Sequence, residues 1–114
     1  MYIVITGGRD YKNQQQFNDI LDLVRPDFIA VGDCPTGADA FARDWIKENL
    51  FAGVRLYVAD WNKFGRAAGP IRNREMLECS KDFDFVLAFP GGKGTNDCVR
   101  QARQVGLTVL RIEE

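Results

Sequence analysis

Phe83-Asp84-Phe85-Val86-Leu87-Ala88-Phe89-Pro90-Gly91-Gly92-Lys93-Gly94-Thr95 is the stretch on which the fold turns. Phe85 to Phe89 is unbroken apolar sequence. It is far too short for a bilayer span, and it suits a strand covered by helices on both faces. The glycine-rich run after it leads into a helical stripe in which Cys98, Val99 and Ala102 face inward. Gly106 ends that helix, and Leu107 to Ile112 reads as the final strand.

The same alternation extends towards the N-terminus. Tyr2 to Thr6 is β-rich and runs into Gly7-Gly8. Phe17, Ile20, Leu21 and Val24 fall at helical spacing, so the pattern predicts a helix over about 13–24, stopped by Pro26. Asp27 to Val31 is a second strand, followed by the turn cluster Gly32-Asp33-Cys34-Pro35. Ala38, Phe41, Ala42, Trp45 and Ile46 give a helix ending near Leu50, with Gly53 as its cap and Val54 to Val58 as a third strand. Ala59 to Gly69 reads as one long loop, and Pro70 as the first position of a helix reaching about Ser80. Strands alternating with helices predict one α/β domain over residues 1–114, with a mainly parallel five-stranded sheet and helices on both faces. In such sheets ligands bind beyond the carboxyl ends of the strands, where the strand order reverses. Three glycine-bearing loops lie at that end: Gly7 to Asp10, Gly32 to Asp39 and Pro90 to Thr95.

Composition closes several classes of function. The 114 residues include 15 Lys+Arg, 16 Asp+Glu and no His, a net charge of −1. Imidazole acid–base chemistry and Ser-His-Asp triads are therefore excluded. The charge balance opposes duplex nucleic acid as a partner, because that affinity rests on excess cations over the phosphates. Cys34, Cys79 and Cys98 match no zinc spacing and suit a reduced, cytoplasmic setting. No basic leader or membrane segment is read. No cofactor is required by any motif, and no metal ligands are assigned. A diphosphate could bring Mg²⁺ with it, although no dedicated carboxylate cage is visible.

The Pro90-Gly91-Gly92-Lys93-Gly94-Thr95 loop is the strongest motif. A plain strand-to-helix turn needs one or two glycines, not three. Thr95 is read as the N-cap of a helix whose free amides and dipole favour a phosphate or carboxylate. Lys93 either reaches that anion or is solvated. The loop is neither a Walker loop nor GxGxxG. Thr36-Gly37-Ala38-Asp39 fits a capping box, and equally a placement of Asp39 over a ligand hydroxyl. Arg9, after Gly7-Gly8, either clamps a phosphate or pairs with Asp10. Arg66, Arg72 and Arg74 cluster near a helix start, where cations oppose the helix dipole and a bound anion would offset them. Of these Arg72, beside Asn73, is the candidate to face the crevice. Trp61 and Phe64 either stack on a base or plug the sheet. Cys34 and Cys98 are read as lying at helix starts, where a thiol pKa can fall.

Five blocks occur in order: Gly7-Gly8-Arg9, Gly37-Ala38-Asp39, Ala59-Asp60-Trp61, Ala68 to Met76 and Ala88 to Thr95. Together they resemble the YspA-like branch of the SLOG superfamily. The resemblance implies a Rossmann-like fold and a nucleotide or nucleotide-derived ligand, and it extends to proteins of bacterial and phage conflict systems. It also reaches LOG-type phosphoribohydrolases, whose motif pairs an Arg with Pro-Gly-Gly-x-Gly-Thr-x-x-Glu. Here Arg72 matches the Arg, and Cys98 stands at the Glu position. The leading expectation is a binder of a nucleoside phosphate or ADP-ribose-type signal, acting as sensor or sequestering protein. Its ligand residues would be Gly7, Gly8, Arg9, Gly37, Asp39, Trp61, Arg72, Asn73 and Pro90 to Thr95. The alternative is an N-glycosidase of nucleoside 5′-monophosphates, with Arg72, Asp39 and Asp97 as catalytic candidates. A single-strand nucleic-acid binder follows from a more distant likeness to DprA, and a pure protein-interaction module would leave the glycine loops unexplained. Phe41, Trp45 and Phe51 on or near one helix give grounds for homo-oligomerisation.

Overall fold

The computed structural model describes residues 1–114. Strand β1 (Tyr2–Thr6) leads to α1 (Gln14–Val24), β2 (Phe28–Gly32), α2 (Gly37–Glu48) and β3 (Gly53–Tyr57). Two helices follow, α3 (Trp61–Phe64) and α4 (Ala68–Cys79), joined by a 3-10 turn at Gly65–Ala67. Strand β4 (Phe85–Ala88), helix α5 (Lys93–Gln104) and β5 (Val109–Arg111) complete the chain. All pairings in the sheet are parallel, in the order β3-β2-β1-β4-β5. The chain moves outward from β1 in one direction and then resumes on its other side with β4. The order therefore reverses between β1 and β4, and the loops after these two strands border a crevice. The architecture is a single Rossmann-like α/β domain.

The period-two alternation of the central strands divides the core. Ile3, Ile5, Ile29, Val31, Leu87 and Phe89 face α1 and α2, where Phe17, Leu21, Ala42 and Trp45 pack on them. Val4, Ala30 and Val86 face the other way, against Met76 and Leu77 of α4 and Cys98 and Ala102 of α5. Burying a large apolar side chain of this kind stabilises the fold by about 1.5–3 kcal/mol. Both faces are needed, which explains why β1 and β4 lack polar alternation.

The element ends have local causes. Asn13 accepts from the Gln16 amide at the start of α1. That helix closes on Arg25 in the left-handed region, one residue before Pro26. Gly53 opens β3 instead of capping α2, whose C-cap is Asn49. The expected long loop over Ala59 to Gly69 is largely helical. Asp60 accepts from the Lys63 amide and starts α3, and α4 begins at Ala68. Pro70 is thus the third residue of α4, not the first. It is tolerated there because first-turn amides have no acceptor within the helix.

The expected apolar surface around α2 also differs. Trp45 is buried and donates its indole N–H to Asp22 at 2.9 Å, while Phe41 packs edge-on against Tyr11 and Phe17. Of the three aromatics only Phe51 is exposed, next to an exposed Leu50. No helix is long and apolar enough to cross a membrane.

Candidate functional site

The crevice at the β1/β4 reversal has a volume of about 1320 Å³. One wall is the α5 start. Gly92 occupies the cap position of this helix, so Thr95 is its third residue and not its N-cap. Thr95 is buried and lies beneath Gly91. The amides of Lys93, Gly94 and Thr95 have no backbone acceptor. Such a row of free N–H groups at the positive end of a helix favours an anion. Lys93, Arg9 and Arg66 add three cations that line the crevice, and none of them is ion-paired with a side chain of the protein. Arg9 in particular does not pair with Asp10.

The loops around this wall hold each other. Gly8 donates its amide to Pro90 O at 2.9 Å and accepts from Ala38 N with its own carbonyl. Thr36 does not cap α2 with its side chain; its hydroxyl donates to Arg9 O at 2.9 Å instead. The capping-box reading of Thr36 and Asp39 therefore fails, because both side chains are engaged elsewhere. Gly37 is buried with φ +72° and lies outside the crevice lining. Its work is to let the β1 loop cross the start of α2.

The floor is built from three charged side chains. Arg72 donates from Nη1 to Asp33 Oδ1 at 2.9 Å and from Nε to Asn73 Oδ1 at 3.0 Å. Asp39 Oδ2 accepts from the Cys34 amide at 3.1 Å, while its Oδ1 has no protein donor and opens to the crevice. Both groups lie on Gly32. A Cβ there would fall 2.5 Å from Arg72 Nη1 and 2.9 Å from Asp39 Oδ2. Burial, above all, pushes the Asp39 carboxyl up from 3.8 to about 6, against the opposing pull of the Cys34 amide and of Arg72 and Arg43. The arrangement can therefore present a cationic edge and a proton-exchanging carboxylate side by side.

Cys98 does not stand where the resemblance implied. Cys98 is fully buried, within the helix and not at its start, and burial pushes its thiol up to about 11. It neither lines the crevice nor has an activated thiol. Asp97, about 100° around the helix, is the one that reaches the crevice. Burial alone would raise its pKa, but hydrogen bonds from Gln101, Arg100 and Asn73 outweigh that and hold it below the usual carboxylate range. Asn73 spends its donors on Gly94 O and Asp97, so it ties α4 to the α5 wall. Trp61 stands half-exposed at the rim, over Gly69, while Phe64 is exposed and outside the lining. Neither plugs the sheet.

The crevice thus gathers the expected ligand residues except Gly37, together with Asp97 and Arg66, and leaves out Phe64, Arg74 and Cys98. It adds Gly32 and Asp33. Asp33 and Arg72 are 39 residues apart, and no spacing rule connects them. The loop end at Gly32 was the available signal. No group of three or more His, Cys, Asp or Glu side chains gathers where it could hold a metal ion.

No family model matches the chain. A sequence relative does: the Gene 61 protein of Mycobacterium phage D29 is 34% identical over 118 residues, covering 95% of this chain and 93% of that protein. The chain belongs to the family of this phage protein. The two match over nearly their whole lengths.

Proposed function

We propose that the crevice binds a nucleotide or nucleotide-derived ligand, a nucleoside phosphate or an ADP-ribose-type signal, as a sensor or a sequestering protein. The observation that carries this reading is the open glycine pair at the α5 start. A Cβ on Gly92 or Gly94 would meet no atom within 4 Å. Packing does not require glycine at either position, whereas close approach of a ligand phosphate does. The phosphate would sit on the free amides of Lys93, Gly94 and Thr95, with Lys93, Arg9 and Arg66 neutralising its charge. The sugar would lie across the floor, where Asp39 Oδ1 accepts from a hydroxyl and Arg72 supplies donors. Trp61 at the rim offers a face for a base.

Asp39 favours one second reading, cleavage of the N-glycosidic bond. A buried carboxylate poised near pH 6 and open to the crevice is suited to proton transfer. The glutamate position of the LOG-type motif is occupied by Cys98 in the core, so such chemistry would fall to Asp39, with Arg72 beside it, or to Asp97, whose carboxylate is held by Asn73, Arg100 and Gln101.

One experiment tests both readings. The protein is incubated with nucleoside monophosphates, NAD and ADP-ribose-type compounds, and the solution and the retained material are analysed by mass spectrometry. Binding predicts an intact ligand released on denaturation and lost in Gly94→Leu. Free base with ribose 5-phosphate, abolished in Asp39→Asn, would replace the binding reading with the enzymatic one. No retained compound and no product would overturn both.

A further inference from the structure

A second surface lies away from the crevice, where α5 meets the β5 edge of the sheet. Arg100, Arg103 and Arg111 surround a shallow depression of about 470 Å³. All three are exposed. Arg100 is paired with Asp97, and Arg111 donates to Asn96 Oδ1 at 3.1 Å. Neither Arg103 nor Arg111 has a carboxylate partner. Two guanidinium groups without a counter-charge therefore face one depression.

The backbone beside them is also unpaired. β5 is the last strand of the sheet. Val86 N donates to Thr108 O, and Ile112 N donates to Ala88 O, both at 2.8 Å. In a parallel ladder this register turns the N–H and C=O of Leu110 towards β4. Those of Val109 and Arg111 point outward. Val109 packs against the α5 side of the sheet, so by alternation Arg111 lies on that side and Leu110 on the opposite one. Leu110 is 46% exposed. The edge thus has outward hydrogen-bonding groups, with arginines on one face and an apolar side chain on the other.

We infer that the β5 edge is a docking surface for an acidic, extended peptide segment of a partner protein. The segment adds as a further strand, with its main chain pairing with Val109 and Arg111. Alternate carboxylates meet Arg103 and Arg111, and the intervening apolar residues rest on Leu110. Arginine is suited to such contacts because its planar fork bonds a carboxylate bidentately. A nucleic-acid strand fits less well. No aromatic side chain lines the depression to stack a base, and a phosphodiester cannot pair with a strand edge.

The test uses the full chain and a labelled synthetic peptide of alternating Glu and Val, followed by fluorescence anisotropy. Saturable binding is expected, weakened at least about tenfold by Arg103→Glu with Arg111→Glu. The same peptide N-methylated on alternate residues should also lose binding, because its backbone donors are removed. This second arm leaves the protein untouched, so it decides the matter even if the charge-reversed variant fails to fold by circular dichroism. The inference is overturned if the Glu–Val peptide does not saturate, if N-methylation leaves its binding unchanged, or if an oligo-dT strand displaces it from the arginines.

Discussion

Gly37 and Gly91 stand where two loops press on each other, and Gly92 and Gly94 stand a few ångströms further along with nothing opposite them. A Cβ on Gly91 would fall 2.6 Å from Gly8 N, and one on Gly37 would fall 2.7 Å from Arg9 Cα. Glycine at the first pair is explained by backbone meeting backbone. Glycine at the second pair is not explained by anything in the protein. One glycine-rich loop thus combines two functions that look identical in sequence: holding the crevice together and leaving room inside it. Substitutions that add a single methyl group separate the two.

Gly37→Ala should have the largest effect. The residue has φ +72°, a region that costs a non-glycine side chain about 1–2 kcal/mol. Overpacking against the β1 loop adds about 1–3 kcal/mol. Urea unfolding should show a loss of about 2–5 kcal/mol in all. A loss under about 1 kcal/mol would mean that the loops are not pressed together as described.

Asp39→Asn follows, and its effect depends on pH. The folded-state pKa of about 6 lies above the ordinary 3.8. The folded state therefore holds a proton that the unfolded chain has released. That contribution to stability is complete below pH 3.8 and is lost as pH rises through about 6. At pH 7 the charge costs about 3 kcal/mol, from about 1.4 kcal/mol per pKa unit. The amide cannot ionise and can still accept from the Cys34 N–H. The variant should gain stability over the parent between pH 4 and pH 7, with little difference at pH 4. Asp97 has the opposite sign: its lowered pKa gives stability above the ordinary value that is lost as pH falls through the folded one. Comparing the variant with its parent at each pH removes that background. An unchanged difference across the range would place Asp39 in water, not in the floor.

Gly91→Ala should cost about 2 kcal/mol, less than Gly37→Ala because no positive φ is involved. The Thr95 side chain and the Gly8 backbone must both give way. Thermal unfolding by calorimetry would detect the change. A neutral outcome would move Gly91 into the same class as Gly92.

These differences also mark how far the sequence could be read. The apolar runs at Ile3–Ile5, Ile29–Val31 and Val86–Phe89 carried the sheet, because burial on both faces leaves a direct imprint on composition. The helical stripes carried α1, α2 and α5 for the same reason, whereas α4 was read only from Pro70 as a helix start. The stretch from Trp61 to Ala67 has no such stripe, since α3 is one turn long and buries none of its residues, and it reads as loop. At position 98 two arguments conflicted. Helical periodicity put the residue inward, and the likeness to the LOG-type motif put it in the site. The structure sides with periodicity, because Cys98 and Ala102 lie one turn apart on the face that packs on Val4 and Val86. The Asp33–Arg72 pair was illegible for a different reason: it is made by tertiary proximity between a strand end and a helix that the chain reaches only after β3.

Gly94→Ala should have the smallest effect on stability and of opposite sign. Gly94 lies in the first turn of α5 at negative φ, and a Cβ there meets open space. Alanine loses less backbone entropy on folding than glycine, worth up to about 1 kcal/mol of stabilisation in a helix. The variant should therefore melt a few degrees higher by calorimetry. Gly94→Leu should fold as well as the parent, because its side chain projects into the crevice and not into the core. If ligand phosphate approaches this wall closely, the leucine variant loses retained nucleotide while the thermal midpoint holds. A variant that both melts normally and keeps its ligand would show that the open glycine does not mark the binding surface. The phosphate would then have to be sought on Arg66 and Arg9 across the crevice.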